Sequence, residues 1–103
     1  MIRVSVLYPN GDDATFDHDY YLERHMPLVA ESVGEAMKGY TVDRGVAGGG
    51  PGEPPAFLAA CHMTFDSPEA FQAAFEPHME RIMGDIPNYT NTQPTVQISE
   101  VRR

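Results

Sequence analysis

Basic residues and cysteine are scarce in this chain, and each shortage argues against a class of partner or location. There are 7 lysines and arginines against 15 acidic residues, and the formal net charge is −8. Nucleic acids and anionic membrane surfaces bind clustered basic side chains, so neither is an expected partner. The lone cysteine, Cys61, cannot form an internal disulfide and indicates a reducing compartment.

Long apolar runs and targeting signals are also missing. No hydrophobic stretch approaches the ~20 residues that span a bilayer. The first residues, Met-Ile-Arg-Val-Ser-Val, lack the basic and apolar regions of a secretory signal. We therefore expect a cytoplasmic protein.

Cofactor and metal motifs are absent as well. The Gly- and Pro-rich stretch 48–55 does not end in the Lys-Ser/Thr of a phosphate-binding loop and does not match the dinucleotide-binding motif GxGxxG. It therefore predicts a hairpin loop or lid. The lack of a nucleotide-binding motif also argues against a self-contained NAD-dependent reductase. His18 and His25 are seven residues apart, about 10 Å along a helix, which is too far for two ligands of one metal. Haem ligation by His78 is the other option, although His78 follows Pro77 and could face solvent. We expect no metal and no permanent cofactor.

The residues that are present suit one small folded domain spanning 1–103. Apolar residues make up 42% of the chain, which is ordinary for a globular protein. A chain of this length buries only about 60–70% of its unfolded surface, so further burial against a partner is plausible.

Hydrophobic periodicity predicts an alternating series of strands and helices. Strands are predicted at 2–8, 40–47, 56–65 and 93–101, and helices at 17–37 and from Ser67 onward, with a loop at 84–91. Pro27 should bend or break the first helix near His25, and Pro77 should disturb the second. The order β-α-β-β-α-β predicts an α+β, ferredoxin-like fold with a four-stranded antiparallel sheet.

Strand alternation then assigns the two faces of the sheet. Rows of apolar side chains from Ile2, Cys61 and Val96 suit the face that the helices cover. The opposite rows are neither strongly charged nor purely apolar, which predicts a cavity closed by the sheet of a second copy. The alternative is a face that is open to water. The opposite rows comprise Ser5, Leu7, Leu58, Ala60, His62, Thr64, Gln97, Ser99 and Val101.

Several sequence blocks together resemble the EthD family. They are Val4-Ser5-Val6-Leu7-Tyr8-Pro9-Asn10, Phe16-Asp17-His18-Asp19-Tyr20-Tyr21-Leu22, His25-Met26-Pro27-Leu28-Val29, Gly39-Tyr40 with Arg44-Gly45, Phe65-Asp66-Ser67, and Asp85-Ile86-Pro87-Asn88-Tyr89-Thr90-Asn91 followed by Pro94. The resemblance covers residues 4–94. It implies a dimeric α/β barrel, in which the sheets of two subunits pack face to face and each subunit has an internal pocket. The family accompanies an oxidative system for ether degradation, and relatives of the same architecture include monooxygenases, isomerases, cyclases and haem enzymes, so the fold does not choose a reaction.

Two histidines are the candidate catalytic residues. His25 falls where Pro27 disturbs the first helix and belongs to the pattern of the family that the chain resembles, so it could act as a general acid or base or donate a hydrogen bond to a ligand. The alternative is that its ring only hydrogen-bonds a backbone carbonyl that the disturbed helix leaves without a partner. His62 lies on the mixed face and could pair with His25 around a substrate, or be a satisfied buried histidine. By the same alternation Cys61 points into the core and is not a nucleophile candidate.

Six further residues are candidate substrate contacts. The tyrosines offer one hydroxyl each, although packing in the core or at an interface is their alternative role. The candidates are Ser5, Leu7, Tyr21, Thr64, Tyr89 and Gln97.

Two function classes follow from these residues and the resemblance. The first is an enzyme that acts on a small organic substrate by cofactor-free acid/base or oxygen chemistry, a cofactor-independent oxidoreductase or an isomerase or cyclase. The second is a non-catalytic homodimer that binds a reactive small molecule for a partner oxygenase. The roles of His18 and His78 stay open.

Overall fold

Four antiparallel strands form one sheet in the computed structural model, which describes all 103 residues. The strands are β1 (Ile2–Pro9), β2 (Gly39–Arg44), β3 (Phe57–Phe65) and β4 (Thr95–Glu100). Their order across the sheet is β2-β3-β1-β4, so β1 pairs with both β3 and β4. This is the ferredoxin-like arrangement that the sequence predicts.

The first helix covers residues 18–36 in four parts. It runs through the α-helical His18–Tyr20, the π-helical Tyr21–His25, the α-helical Met26–Val33 and the 3₁₀-helical Gly34–Ala36. The Asp17 carboxylate accepts a hydrogen bond from the Tyr20 N–H and caps its start. The predicted disturbance before Pro27 is therefore a π turn, and the helix continues through it.

The second helix covers residues 68–88. It comprises Pro68–Phe75, Glu76–His78, Met79–Asp85 and Ile86–Asn88, and the 3₁₀ turn at Glu76–His78 contains Pro77. Ser67 Oγ accepts from the Ala70 N–H, as its N-cap position predicts. The prediction of a loop at 84–91 was wrong in its first half, because helical turns continue as far as Asn88.

Both helices pack on one face of the sheet, where the core lies. Val4, Cys61, Met63 and Phe65 are almost completely buried there, as the alternation predicts. Val96 and Ile98 point to the same side but are 55% and 46% exposed. The expectation that the helices cover them was wrong, because the second helix stops short of the β4 edge and leaves Met83 exposed beside them.

The three- and four-residue spacing of Leu22, Met26, Val29, Val33 and Met37 predicts one buried stripe on the first helix, and the structure differs from it. Met26, Val29 and Val33 are buried as expected, but Leu22 is 52% exposed, and Tyr21 and His25 are buried instead. The π turn is wider than an α turn, so it rotates the preceding residues around the axis and turns Tyr21 inward. None of the helices combines the length and the apolarity needed to cross a bilayer.

Candidate functional site

A cavity of about 360 Å³ lies between the helices and the covered face of the sheet. Eighteen residues line it, and 15 of them are hydrophobic, including Met26, Met63 and Phe75. No lysine, arginine, aspartate or glutamate is among them. Its size is at the lower end of the range for small-molecule sites, and its lining suits an uncharged apolar ligand.

His25 is the one basic side chain that lines this cavity. Its ring lines the cavity, and its Nδ1 lies 2.9 Å from Asp85 Oδ2. Asp85 is held in turn by the Tyr20 hydroxyl, which donates to Oδ1 at 2.7 Å, and by the Asn88 amide at 2.9 Å. Because a carboxylate can only accept, His25 donates from Nδ1 and keeps the lone pair on Nε2.

Two tyrosine hydroxyls continue this network along the β1 side. The Tyr89 hydroxyl lies 3.3 Å from His25 Nε2 and 2.8 Å from the Tyr8 hydroxyl. Tyr8 lines the cavity, whereas Tyr89, which contacts both Tyr8 and His25, does not. The continuous order is therefore Asp85, His25, Tyr89, Tyr8.

The segment after the second helix holds Tyr89 in place through bonds to the chain before the first helix. The Asp17 N–H donates to the Tyr89 carbonyl at 2.7 Å, and Phe16 and Thr90 form an isolated β-bridge. Thr90 Oγ1 donates to the Thr15 carbonyl at 2.6 Å. Each of these bonds spans more than 70 residues of sequence, so the site forms only when both halves of the chain are folded.

Burial sets the protonation states of these groups. It lowers the pKa of His25, although the hydrogen bond and charge of Asp85 oppose the shift, so the imidazole is neutral at pH 7. For Asp85, burial raises the pKa, but hydrogen bonds from Tyr20, Asn88 and His25 together outweigh it and leave the pKa below its ordinary value. Burial also raises the pKa of Tyr8 and of Tyr89, so both hydroxyls keep their protons.

A second polar cluster lies on the opposite, uncovered face of the sheet. Ser5 Oγ and His62 Nδ1 are 2.8 Å apart on paired strands. His62 Nε2 is 3.7 Å from Asp43 Oδ2, which is too long for a hydrogen bond. Although these residue types match a hydrolytic triad, the broken link to Asp43 and a serine only 9% exposed argue against a working one.

The structure divides the predicted site residues between these two faces. His25 and Tyr21 line the helix-side cavity, and Tyr89 contacts His25 without lining the cavity itself. His62 lies on the other side of the sheet, because alternate side chains of β3 point to opposite faces. The two histidines therefore do not meet, and the prediction that they pair around a substrate was wrong. The remaining candidates share the open face with His62, where a pocket would require a second subunit. They are Ser5, Leu7, Thr64 and Gln97.

Sequence reasoning missed Tyr8 and Asp85. Tyr8 could have been found from strand alternation, since it follows Val4 and Val6 on the covered face. Asp85 is the first residue of the block that contains Tyr89, but nothing in the sequence pairs it with a histidine 60 residues away. That pairing depends on how the two helices lie side by side.

The other residues considered for chemistry lie outside the site or are unreactive. Cys61 is 1% exposed against Met26, and burial raises its thiol pKa to about 11. His18 packs against Phe16 with ring centroids 4.7 Å apart and ring planes tilted by 51°, and neither His18 nor His78 lines the cavity. Nowhere do three or more His, Cys, Asp or Glu side chains converge as a metal site would require.

A ferredoxin-like sheet with an apolar pocket under its helices places the chain among small α+β domains with a cavity for a small molecule. The family model described as the EthD domain matches residues 9–93, most of the sequence. The chain therefore belongs to the EthD family.

Solved structures agree with this assignment. An EthD-like protein from Ralstonia eutropha JMP134 is 50% identical with a TM-score of 0.93, over 99% of this chain and 94% of that one. An ethyl tert-butyl ether D (EthD) family protein from Bacillus halodurans C-125 is 22% identical with a TM-score of 0.67, over 98% of each chain. A protein from Arabidopsis thaliana is 13% identical with a TM-score of 0.71, over 100% and 97%. The last two establish only the shared fold. No curated protein matches the chain.

Proposed function

We propose that this protein binds a small uncharged organic molecule in the helix-side cavity and removes a proton from it, with His25 as the general base and no permanent cofactor. The observation that carries the proposal is the Asp85–His25 pair, with Nδ1 and Oδ2 2.9 Å apart, at the wall of an otherwise apolar cavity. An isomerase or a cyclase would use the same step.

The pair is suited to this chemistry because each partner has a defined role. The neutral imidazole keeps its lone pair on Nε2, where only the long 3.3 Å contact to the Tyr89 hydroxyl competes with a ligand for it. Once Nε2 takes a proton, the imidazolium gains the full charge interaction with Asp85, which offsets part of the cost of creating a buried charge. Asp85 is thus a positioning residue and does not contact the ligand.

A direct test uses 5-nitrobenzisoxazole, an apolar carbon acid whose ring opens when a base removes its proton. We expect the wild-type protein to open the ring faster than free imidazole at the same pH, and His25→Gln to lose roughly 100-fold or more of that rate, since general-base catalysis contributes on this scale. The Tyr40→Phe variant, whose ring lies outside the cavity, is the matched control. Equal rates in wild type and His25→Gln would remove His25 from the mechanism.

The contribution of Asp85 is tested by the pH dependence of the same reaction. Asp85 raises the pKa of His25 against the effect of burial, so Asp85→Asn leaves a weaker base. We expect the acidic limb of the pH–rate profile to move to lower pH and the plateau rate to fall. A variant that lowered the plateau with an unmoved limb would indicate a structural role only.

Oxidation of the deprotonated substrate by molecular oxygen would be a second step after proton removal by His25. Removing a proton makes an organic substrate more electron-rich, and molecular oxygen would then be the oxidant, because the chain supplies no redox group of its own. Oxygen consumption that depends on both substrate and His25 would support this oxidoreductase reading.

A non-catalytic role is the second candidate. It is favoured by the apolar lining, which offers shelter to a reactive molecule and few groups that act on it. In that case His25→Gln would weaken ligand binding without changing any rate, and a partner oxygenase would carry out the reaction.

Self-association through the uncovered face of the sheet is part of the proposal. A monomer of 11.4 kDa is expected to expose about 5,800 Å², and this chain exposes 6,628 Å². The excess is close to the roughly 800 Å² that one partner buries in a standard interface. The buried thiol and acidic charge suit a cytoplasmic homodimer that binds neither nucleic acid nor membranes.

A further inference from the structure

We infer that the substrate is an uncharged, enolisable carbonyl compound, and that Tyr8 is the residue that binds its oxygen. The inference rests on the proposed role of His25 and adds the chemical class that the site selects. It follows from counting the protons that Tyr8, Tyr89 and His25 share.

Tyr89 has one hydroxyl proton and two neighbours that accept it. His25 Nε2 lies 3.3 Å away and the Tyr8 oxygen 2.8 Å away. Because Nδ1 donates to Asp85, Nε2 carries no proton and is an acceptor. Among these three groups and without a ligand, the arrangement that uses every proton is Tyr8 donating to Tyr89 and Tyr89 donating to Nε2, while the Tyr21 hydroxyl is a further neighbour of Tyr8.

A carbonyl oxygen next to Tyr8 favours the other arrangement. Tyr89 then donates to Tyr8 across the shorter 2.8 Å contact, and the longer 3.3 Å contact, the weaker of the two, is released. Tyr8 donates its own proton to the ligand, and Tyr89 no longer occupies the Nε2 lone pair of His25. The site then presents one donor and one base, which match the oxygen and the neighbouring C–H of a ketone.

The lining excludes charged ligands. No charged side chain faces the cavity, and the carboxylate of Asp85 lies behind His25. An anion would have no cationic partner and would meet a chain of net charge −8. A ligand cation would likewise find no carboxylate in direct contact.

The step is balanced without an oxidant. The α C–H bond breaks, an N–H bond forms at Nε2, and the electron pair moves onto the carbonyl oxygen, which the Tyr8 hydroxyl stabilises. Return of the proton to carbon or to oxygen gives the original ketone or its enol. Burial keeps Tyr8 protonated for this role by raising its pKa.

The test follows exchange of the α-hydrogens of 2-tetralone for deuterium in D₂O by NMR. We expect wild type to accelerate exchange, Tyr8→Phe to lower the rate roughly 100-fold, as for loss of one oxyanion donor, and Tyr40→Phe to match wild type. Affinity is compared for 2-tetralone, its hydrocarbon tetralin and the anion 2-naphthoate. Loss of the carbonyl should weaken binding about three- to tenfold, and 2-naphthoate should bind worst.

The outcomes separate this inference from the proposed function. One outcome is that ring opening of 5-nitrobenzisoxazole depends on His25, but 2-tetralone does not exchange or exchanges equally fast in Tyr8→Phe. That outcome would overturn the ligand class and leave the role of His25 as a base intact. Loss of both reactions to background in wild type would overturn both. Thermal unfolding of Tyr8→Phe shows whether the variant is folded. The variant Tyr89→Phe leaves the ring and hydroxyl of Tyr8 in place and removes only the proton that Tyr89 donates to Tyr8. It should therefore lower the exchange rate by less than Tyr8→Phe does.

Discussion

His25 is a buried histidine whose neutral form the fold favours. Its side chain is 5% exposed, and Asp85, the one carboxylate in contact with it, is 14% exposed. The pKa of His25 is lowered chiefly by burial, so protonation at His25 costs the folded state more than it costs the unfolded chain. The same property that makes the ring a base at neutral pH makes the protein sensitive to acid.

We expect the free energy of unfolding to fall as the pH drops from 7 to 5, and to fall less in His25→Gln. Below the unfolded pKa of about 6.5 the unfolded chain binds a proton that folded His25 does not, so stability rises with pH there, by at most about 1.4 kcal/mol per pH unit for one residue. Urea unfolding at several pH values measures this. Asp85 contributes at lower pH, because its pKa is depressed and its stabilisation is lost only as its folded-state pKa is crossed. Identical slopes in the two proteins would contradict the assignment.

At the scale of the element, the π turn and the strand ends decide where the site residues lie. The π turn at Tyr21–His25 brings Tyr21 and His25 into the interior and leaves Leu22 outside. The end of β2 is fixed by Gly45, whose N–H donates to the Leu58 carbonyl at 2.9 Å. A Cβ at Gly45 would overlap the Phe57 carbonyl oxygen, so only glycine fits this approach of the chain to β3.

Gly45→Ala should therefore destabilise the protein by about 1–3 kcal/mol, the usual cost of forcing atoms into a packed region. Gly39→Ala at the other end of β2 is the matched control, since a Cβ there meets nothing within 4 Å. We expect that control to lie within about 0.5 kcal/mol of wild type. Urea unfolding measures both, and a Gly45→Ala variant as stable as its control would show that β2 shifts freely.

Much of each element could be predicted from local sequence. The strand periods, the helix starts near Asp17 and Ser67 and the position of the helix disturbance were all predicted and are confirmed. The extension of the second helix to Asn88 was not predicted, because Gly84 and Pro87 are residues typical of loops. Pro87 is accommodated here in a 3₁₀ turn at Ile86–Asn88. Whether Pro27 gives a kink or a π turn is likewise decided by packing around Tyr21 and His25.

The whole molecule is a thin two-layer body with principal extents of 40 × 33 × 19 Å. Only 17 of the 103 residues are buried, so the isolated chain has a small core for its size. The uncovered face of the sheet carries half-buried small and apolar side chains, among them Leu7, Leu58 and Ala60. These features support the proposed pairing of two copies through this face.

Ala60→Glu should disrupt that pairing, because it would bury a carboxylate near the centre of the proposed interface without a partner. Ala73→Glu, on the exposed surface of the second helix, is the matched control. Light scattering after size exclusion should give twice 11.4 kDa for wild type and for the control, and the monomer mass for Ala60→Glu. A wild-type monomer would refute the pairing, and an Ala60→Glu dimer would place the interface elsewhere.

The sequence by itself determined the element order, the two faces of the sheet and the family, because these depend on periodicity, caps and motifs that are local along the chain. Tertiary structure alone decided that the cavity of one chain lies under the helices, on the side of the sheet opposite to the face on which the sequence places His62. It also joined His25 to Asp85, Tyr89 and Tyr8, which are separated from one another by up to 81 residues. Such contacts arise from the packing of helix on helix and helix on sheet, and no pattern within one segment contains them.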